Sequence, residues 1–213
     1  MKLIRLFVVC SAAAMLPAAM AQKWEFGVGA GGGFYTGQDV KLGSDSASAK
    51  FKTNVAVSTW VGNNISEKVG GELRYSYQLG DMQLKRNSSE AVFGAESHTV
   101  NYNFLFYTQP SEAKVRPFVS AGAGMKFYRG TGTETITQPL SQFALLTKAN
   151  DLTGVVSVGG GVKMRLGSRA WLRFDVYDYM SPFPKQVIVP NVGASVEGWM
   201  HDIVPMVSIS FGN

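Results

Sequence analysis

The chain has 213 residues, of which 20 are Lys or Arg and 15 are Asp or Glu, giving a formal net charge of +5. A single cysteine excludes a disulfide framework, and weak positive charge spread along the chain argues against nucleic acid as a partner. The length suits one domain with a full-sized core.

The first 21 residues have the pattern of a secretory signal peptide. Two basic residues precede an apolar run from Leu6 to Leu16, and Ala19-Met20-Ala21 provides a small-x-small cleavage site. Cleavage there removes both basic residues and the cysteine, so the net charge falls from +5 to +3. The sequence thus predicts a signal peptide over 1–21 and one domain over 22–213.

Alternation of apolar and polar residues predicts eight β-strands in the rest of the chain. They lie at 24–34, 54–62, 69–79, 98–107, 115–128, 155–166, 170–179 and 202–211. The facing of the second strand is ambiguous, because Trp60 competes with Val55, Val57 and Val61 for the apolar face. No apolar run after the signal peptide reaches the roughly 20 residues of a spanning helix, so any membrane crossing must use strands.

The first strand contains glycines at the dinucleotide-binding spacing G-x-G-x-x-G, namely Gly27, Gly29 and Gly32. That fingerprint requires a preceding strand and a following helix. Residues 36–39 have the composition of a turn instead, and the glycines at 27, 29, 31 and 33 share one face of a strand. We therefore predict a strand with a glycine face and no phosphate site.

The connections between the predicted strands alternate in length. The long ones are 36–53, 80–97, 129–152 and 181–200, and the short ones are 63–68, 108–114 and 167–169. An even number of strands with long loops at one end and short turns at the other is typical of an outer-membrane barrel. The long loops then face the outside of the cell, and both termini face the periplasm.

Two of the long connections contain apolar segments. Residues 139–150 predict a short helix capped by Ser141, and 182–192 is apolar for a loop. Either segment could contact a partner, cover the barrel mouth or lie against lipopolysaccharide, but packing against the neighbouring loop is favoured.

The apolar face of the barrel is expected to face lipid. A soluble lipocalin-like barrel would place that face inside, yet the opposite face here carries glycines and charges that suit a filled lumen better than a solvated surface. Aromatic residues also crowd the strand ends, where interfacial girdles belong. These are Trp24, Phe34, Tyr35, Phe127, Tyr128, Trp171, Tyr179 and Trp199.

This orientation places several charges in the lumen. The third and seventh strands lie opposite each other, and their charges have complementary signs at equal heights above the short turns. We expect ion pairs of Glu72 with Arg173 and of Arg74 with Asp175, joined by Lys163 and Glu25. Pairing of each charge with a residue of an adjacent strand is the alternative.

Three stretches give the chain a resemblance to the OmpA-like eight-stranded outer-membrane β-barrel domain family. They are VRPFVSAGAGMKFY (115–128), VGGGVKMRLGSRAWLRFDVYDY (158–179) and HDIVPMVSISFG (201–212). The resemblance covers 22–213 and implies an all-β fold, an eight-stranded antiparallel up-and-down transmembrane barrel, and it says little about activity. Two features depart from the family pattern: Phe211 is followed by two more residues, and Pro205 suggests a bulge in the last strand.

The residues give little support for catalysis. His98 and His201 each adjoin a residue that points to the opposite face of the strand, so both are expected to be ordinary rim residues. The sequence predicts no cofactor and no metal site.

The predicted function is that of an integral outer-membrane protein of a Gram-negative bacterium, with a structural or surface-interaction role through its long loops. The alternative is OmpW-like binding or passage of a small hydrophobic molecule. The expected partners are outer-membrane lipid, lipopolysaccharide and, during biogenesis, the barrel-insertion machinery. The expected state is a monomer.

Overall fold

The computed structural model describes residues 24–135 and 137–212, so the predicted signal peptide lies outside the described residues. Fifteen strands occur in this part of the chain. They are β1 (Trp24–Tyr35), β2 (Gln38–Leu42), β3 (Asp45–Phe51), β4 (Asn54–Asn64), β5 (Val69–Leu79), β6 (Met82–Arg86), β7 (Ser89–Phe93), β8 (Ala95–Tyr107), β9 (Val115–Gly130), β10 (Ala144–Leu146), β11 (Asn150–Arg165), β12 (Ala170–Pro182), β13 (Ile188–Pro190), β14 (Ala194–Ser195) and β15 (Trp199–Gly212).

Eight of these strands close into one barrel in the order β1-β15-β12-β11-β9-β8-β5-β4. Every neighbouring pair is antiparallel. This confirms the predicted fold class, and each barrel strand overlaps one predicted strand. Strands β8, β11 and β15 begin earlier than predicted, because they extend past the apolar band at the end of the barrel that carries the long loops.

The apolar side chains of the barrel face outward, as predicted. Val28, Phe104 and Val119 are 56%, 47% and 63% exposed, whereas Arg74 and Lys126 on the other face are fully buried. The ambiguous Trp60 is 3% exposed and lies in the lumen. Among the described residues, no helix is long and apolar enough to span a membrane.

The glycine face of β1 makes room for a large side chain in the lumen. A Cβ on Gly27 would lie 2.1 Å from Cζ2 of Trp60, which β4 brings alongside through the Gly27–Trp60 pairing. The interior of an eight-stranded barrel is just wide enough for side chains to fill it. The glycines therefore serve packing, and the predicted strand with a glycine face is confirmed.

The aromatic girdle is only partly as predicted. Phe34 and Trp199 face outward and are 47% and 51% exposed. The prediction was wrong for Tyr128, Trp171 and Tyr179, which are buried in the interior, and Tyr35 packs its ring on Phe51 inside the loop end. Three of these four interior rings make cation–π contacts with lysines of the lumen, which stabilise them there. Tyr35 and Tyr128 contact Lys126, and Trp171 contacts Lys163.

The bulge predicted at Pro205 is absent. In the pairing of β1 with β15, Phe34 follows Gly31 by three positions in β1 and Met206 follows Ile203 by three positions in β15, so β15 contains no inserted residue. The pairing of β15 with β12 continues through Pro205. The proline interrupts the ladder with β1 locally, as expected from its missing N–H, without a shift in register.

The long loops are folded, and we call their strands β2, β3, β6, β7, β10, β13 and β14, with the residues that connect them, the cap. Five of these strands form a sheet in the order β14-β2-β3-β6-β7, and β10 pairs with β13. The helix predicted over 139–150 was wrong. Residues there form a turn and then β10, because Ala144 and Leu146 are buried on one face of a strand while Leu145 between them is exposed.

The cap has its own apolar core above the charged lumen. Phe143 and Leu146 pack there with Val187 and Ile188, so the two apolar loop segments contact each other as favoured from the sequence. Strands β3 and β6 contribute Phe51, Met82 and Leu84, and the barrel contributes Tyr128 and Met200. The cap therefore closes the loop end of the barrel with packed side chains.

Candidate functional site: the charged lumen and the cap

Four charged side chains from β5 and β12 form the centre of the lumen. Arg74 Nε donates to Glu72 Oε1 at 2.7 Å, and Arg173 Nη1 donates to Glu72 Oε2 at 2.5 Å. Asp175 Oδ2 lies 2.5 Å from Arg173 Nε and 3.4 Å from Arg74 Nη2. The structure therefore joins Glu72 with Arg173 and Arg74 with Asp175 across the lumen. It also joins the two charges within each strand, which the sequence reasoning did not anticipate.

Aromatic rings enclose this central cluster. The guanidinium carbons of Arg74 and Arg173 lie 4.7 and 4.9 Å from the ring centroid of Trp60. Tyr177 contacts Arg74 through its ring, at 4.5 Å, and accepts a hydrogen bond from Arg173 Nη2 through its hydroxyl oxygen, at 2.9 Å. All four charged side chains are at most 3% exposed. The cluster is a desolvated plug in which each charge has a partner.

A second cluster lies toward the cap and was missed from the sequence. Lys126 Nζ donates to Asp202 Oδ2 at 2.5 Å, and Gln78 Nε2 donates to the same oxygen at 2.7 Å. The rings of Tyr35 and Tyr128 lie 4.6 and 5.3 Å from Lys126 Nζ. The alternation placed both charges on the polar face. Their heights along the barrel were not predicted, because the strand ends next to the long loops cannot be located from the sequence.

A third pair lies toward the short turns. Lys163 Nζ donates to Glu25 Oε2, and Ser210 Oγ donates to Glu25 Oε1 at 2.6 Å. The ring centroid of Trp171 is 5.1 Å from Lys163 Nζ. Lys163 and Glu25 thus pair with each other rather than with the central four charges.

The two histidines lie on the outer wall near the cap. His98 Nδ1 is 2.8 Å from the hydroxyl of Tyr75, and its Nε2 is 3.8 Å from Glu96. His201 Nδ1 is 2.7 Å from Asp178 Oδ2. Each imidazole is held by a phenol or a carboxylate, an arrangement that orients the ring at the wall.

The outer surface of the cap carries charges of both signs. Lys52 Nζ lies 2.8 Å from Glu90 Oε1, and Arg86 Nη2 lies 2.6 Å from Asp45 Oδ1. The hydrogen bond from Lys52 lowers the pKa of Glu90 below its usual value. Within the described ranges, no group of three or more His, Cys, Asp and Glu residues is arranged to hold a metal.

The free edge of β10 in the cap is closed by a side chain. The amide of Gln138 donates to the carbonyl of Leu146 and accepts from its N–H, at 2.8 and 3.0 Å. A side-chain amide thus makes the two hydrogen bonds that a neighbouring strand would make. Closure of an edge in this way protects it from pairing with other chains.

Comparisons with known proteins agree with this geometry. The family described as outer membrane protein beta-barrel domain matches residues 6–183. No curated protein sequence matches the chain.

Several solved structures are similar in fold. Neisserial surface protein A shares 9% identity with a TM-score of 0.54, over 88% of this chain and 97% of that chain. OprG from Pseudomonas aeruginosa shares 12% identity with a TM-score of 0.53, over 90% and 97%. The outer membrane protease OmpT from Escherichia coli shares 9% identity with a TM-score of 0.52, over 90% and 97%. At these identities the likeness concerns the fold alone.

Proposed function

Since the chain belongs to the outer membrane protein β-barrel domain family, we propose that it is a structural and surface-interaction protein that displays its cap outside the cell. It is located in the outer membrane of a Gram-negative bacterium, as are the proteins of this family. In this orientation the cap is extracellular, and the short turns are periplasmic.

The observation that carries the proposal is the folded cap. Seven strands and a shared apolar core give the loops a fixed shape, with Met82, Leu84 and Ile188 fully buried. A surface that is ordered in advance loses less conformational entropy on binding than a set of flexible loops. The cap therefore suits a persistent contact at the cell surface.

The lumen supports this role over passage of a hydrophobic molecule. A small apolar ligand requires an apolar cavity, whereas the centre of this barrel holds the paired charges of Glu72, Arg74, Arg173 and Asp175. The guanidinium carbons of the two arginines lie 4.7 and 4.9 Å from the ring centroid of Trp60. The apolar core of the cap then covers the outer mouth.

We also propose that the protein is not an enzyme. His98 and His201 are held by Tyr75 and Asp178, and neither hydrogen bond involves a serine or threonine hydroxyl that the imidazole could activate. The likeness to OmpT is one of fold, and fold alone does not carry an activity.

The outer rim suits contact with lipopolysaccharide. Tyr75, Tyr77, His98 and Phe127 form a group of rings on the wall, and Arg129 extends beside them with its side chain 55% exposed. The rings can pack against the acyl chains of lipopolysaccharide, and the cation above them can bind one of its phosphates. We propose lipopolysaccharide as the lipid that surrounds this rim.

We also propose that the barrel-insertion machinery is the partner during biogenesis and that the protein is a monomer.

The proposed role of the cap can be tested with a strain whose chromosomal gene encodes short Gly-Ser turns in place of residues 38–51 and 82–93. We expect the shortened barrel to remain heat-modifiable, while cells lose attachment to a matrix-coated surface or admit a hydrophobic dye more readily. A matched strain with Val192→Ser on the cap, a 95% exposed position, is the control. Unchanged attachment and permeability in the shortened strain would contradict the proposal. Faster transfer of a hydrophobic probe through vesicles containing the wild-type barrel would favour the OmpW-like alternative.

A further inference from the structure

A cavity of about 220 Å³ lies at the periplasmic end of the barrel, beneath the central ion cluster. Its wall includes three cations and two carboxylates, which are Arg116, Lys163, Arg165, Glu25 and Glu112. Residues of two short turns complete the wall, so the cavity opens toward the periplasm. None of the roles assigned above uses it.

Arg116 in this cavity is a buried cation with neutral partners. It is 1% exposed. Its Nη1 donates to Asn64 Oδ1 at 3.3 Å and its Nη2 to the carbonyl of Glu67 at 3.1 Å, while Nε has no acceptor. The guanidinium lies over the ring of Tyr107 at 3.7 Å. No ion pair within 24–135 and 137–212 includes Arg116, although a buried charge is costly without a partner.

Neither carboxylate of the cavity, Glu25 or Glu112, forms an ion pair with Arg116 in the described part of the chain. Glu25 is already shared between Lys163 and Ser210. Arg165 lies over the ring of Trp171 at 4.7 Å and donates to the carbonyl of Ser111 at 3.1 Å, which are both neutral partners. Positive charge therefore exceeds negative charge in a recess with aromatic walls, where the surrounding low dielectric strengthens its field.

We propose that this periplasmic cavity binds a small oxyanion, either a carboxylate or a phosphate. A guanidinium presents donors in a planar fork that matches both groups, and such charge-assisted hydrogen bonds are stronger than neutral ones. Arg116 lies at the buried end and Arg165 at the exposed end, so an anion between them would meet both. The site is independent of the cap and of its role at the cell surface.

Binding can be measured on the mature barrel refolded in zwitterionic micelles. Inorganic phosphate, N-acetylglycine and the uncharged N-acetylglycinamide are titrated separately, and the indole N–H signal of Trp171 is followed by NMR. We expect a saturable shift with phosphate or N-acetylglycine and none with the amide. The oxyanion that gives the tighter binding distinguishes free phosphate from a peptide carboxylate as the source.

Two variants and a control decide the assignment. Arg116→Gln should weaken binding about tenfold or more, as expected for a lost charge-assisted pair. Arg165→Gln, on an exposed side chain, should keep the fold and weaken binding about threefold, so it decides the matter if Arg116→Gln does not fold. Arg86→Gln on the cap is the control and should bind as the wild type does. Absence of a saturable shift with both oxyanions, or equal affinity in all three variants, would overturn the proposal.

Discussion

The contribution of Arg173 to the stability of the barrel depends on its two ion pairs in the lumen. Arg173 contacts Glu72 and Asp175 at 2.5 Å each, and its removal leaves two buried carboxylates to share Arg74. We expect Arg173→Ala to lower the free energy of unfolding by about 3–5 kcal/mol, because an unpaired buried charge is strongly destabilising. Urea unfolding in lipid vesicles measures this change. The exposed Arg169→Ala should change it by no more than about 0.5 kcal/mol, and equal effects of the two variants would argue against the cluster as a stabilising plug.

The space beside each glycine should determine how well the barrel tolerates an alanine there. A Cβ at Gly27 would overlap the ring of Trp60, whereas a Cβ at Gly154 meets no atom within 4 Å. Gly27→Ala should therefore destabilise the barrel by about 1–3 kcal/mol, the usual cost of overpacking. Gly154→Ala should be neutral or slightly stabilising. The same unfolding measurement compares them, and a neutral Gly27→Ala would show that Trp60 does not fill the space beside β1.

At the scale of elements, the sequence predicts the barrel strands well and the cap strands poorly. Long segments such as 69–79 and 115–128 alternate over many residues, and this period fixes both their facing and their register. Counting from the short turns gives the heights of Glu72 and Arg173. Cap strands of two to seven residues have too few alternations to be recognised, since their pairing depends on distant segments such as β10 with β13.

The cap should unfold separately from the barrel. Leu84 of β6 is fully buried in the cap core, most of whose residues belong to the cap. Leu84→Ala should destabilise the cap by about 2–5 kcal/mol, the range for a buried leucine. Limited proteolysis should then cut the cap while the barrel remains heat-modifiable. Val92→Ala, on the exposed face of β7, serves as the control, and loss of the folded barrel in the Leu84 variant would contradict a separate cap core.

At the scale of the whole molecule, three layers follow the barrel axis. A positively charged cavity at the short-turn end lies below the charged plug, and the apolar core of the cap lies above the plug. The sequence predicted the plug, because the charges of β5 and β12 lie on the polar faces of their strands at matching distances from the short turns. It missed the cavity, because the partners of Arg116 come from the end of β4, the turn after it and the end of β8, which alternation does not place together. It also missed the Lys126–Asp202 pair near the cap.

The central claim is that apolar side chains face hydrocarbon while polar ones fill the lumen. Spin labels placed one at a time at positions 99–104 of β8 test it, since cysteine occurs only at Cys10 in the wild-type chain. Oxygen accessibility in lipid vesicles should be high at Val100, Tyr102 and Phe104 and low at Thr99, Asn101 and Asn103, with a period of two. High accessibility at the three polar positions and low accessibility at the three apolar ones would contradict the account.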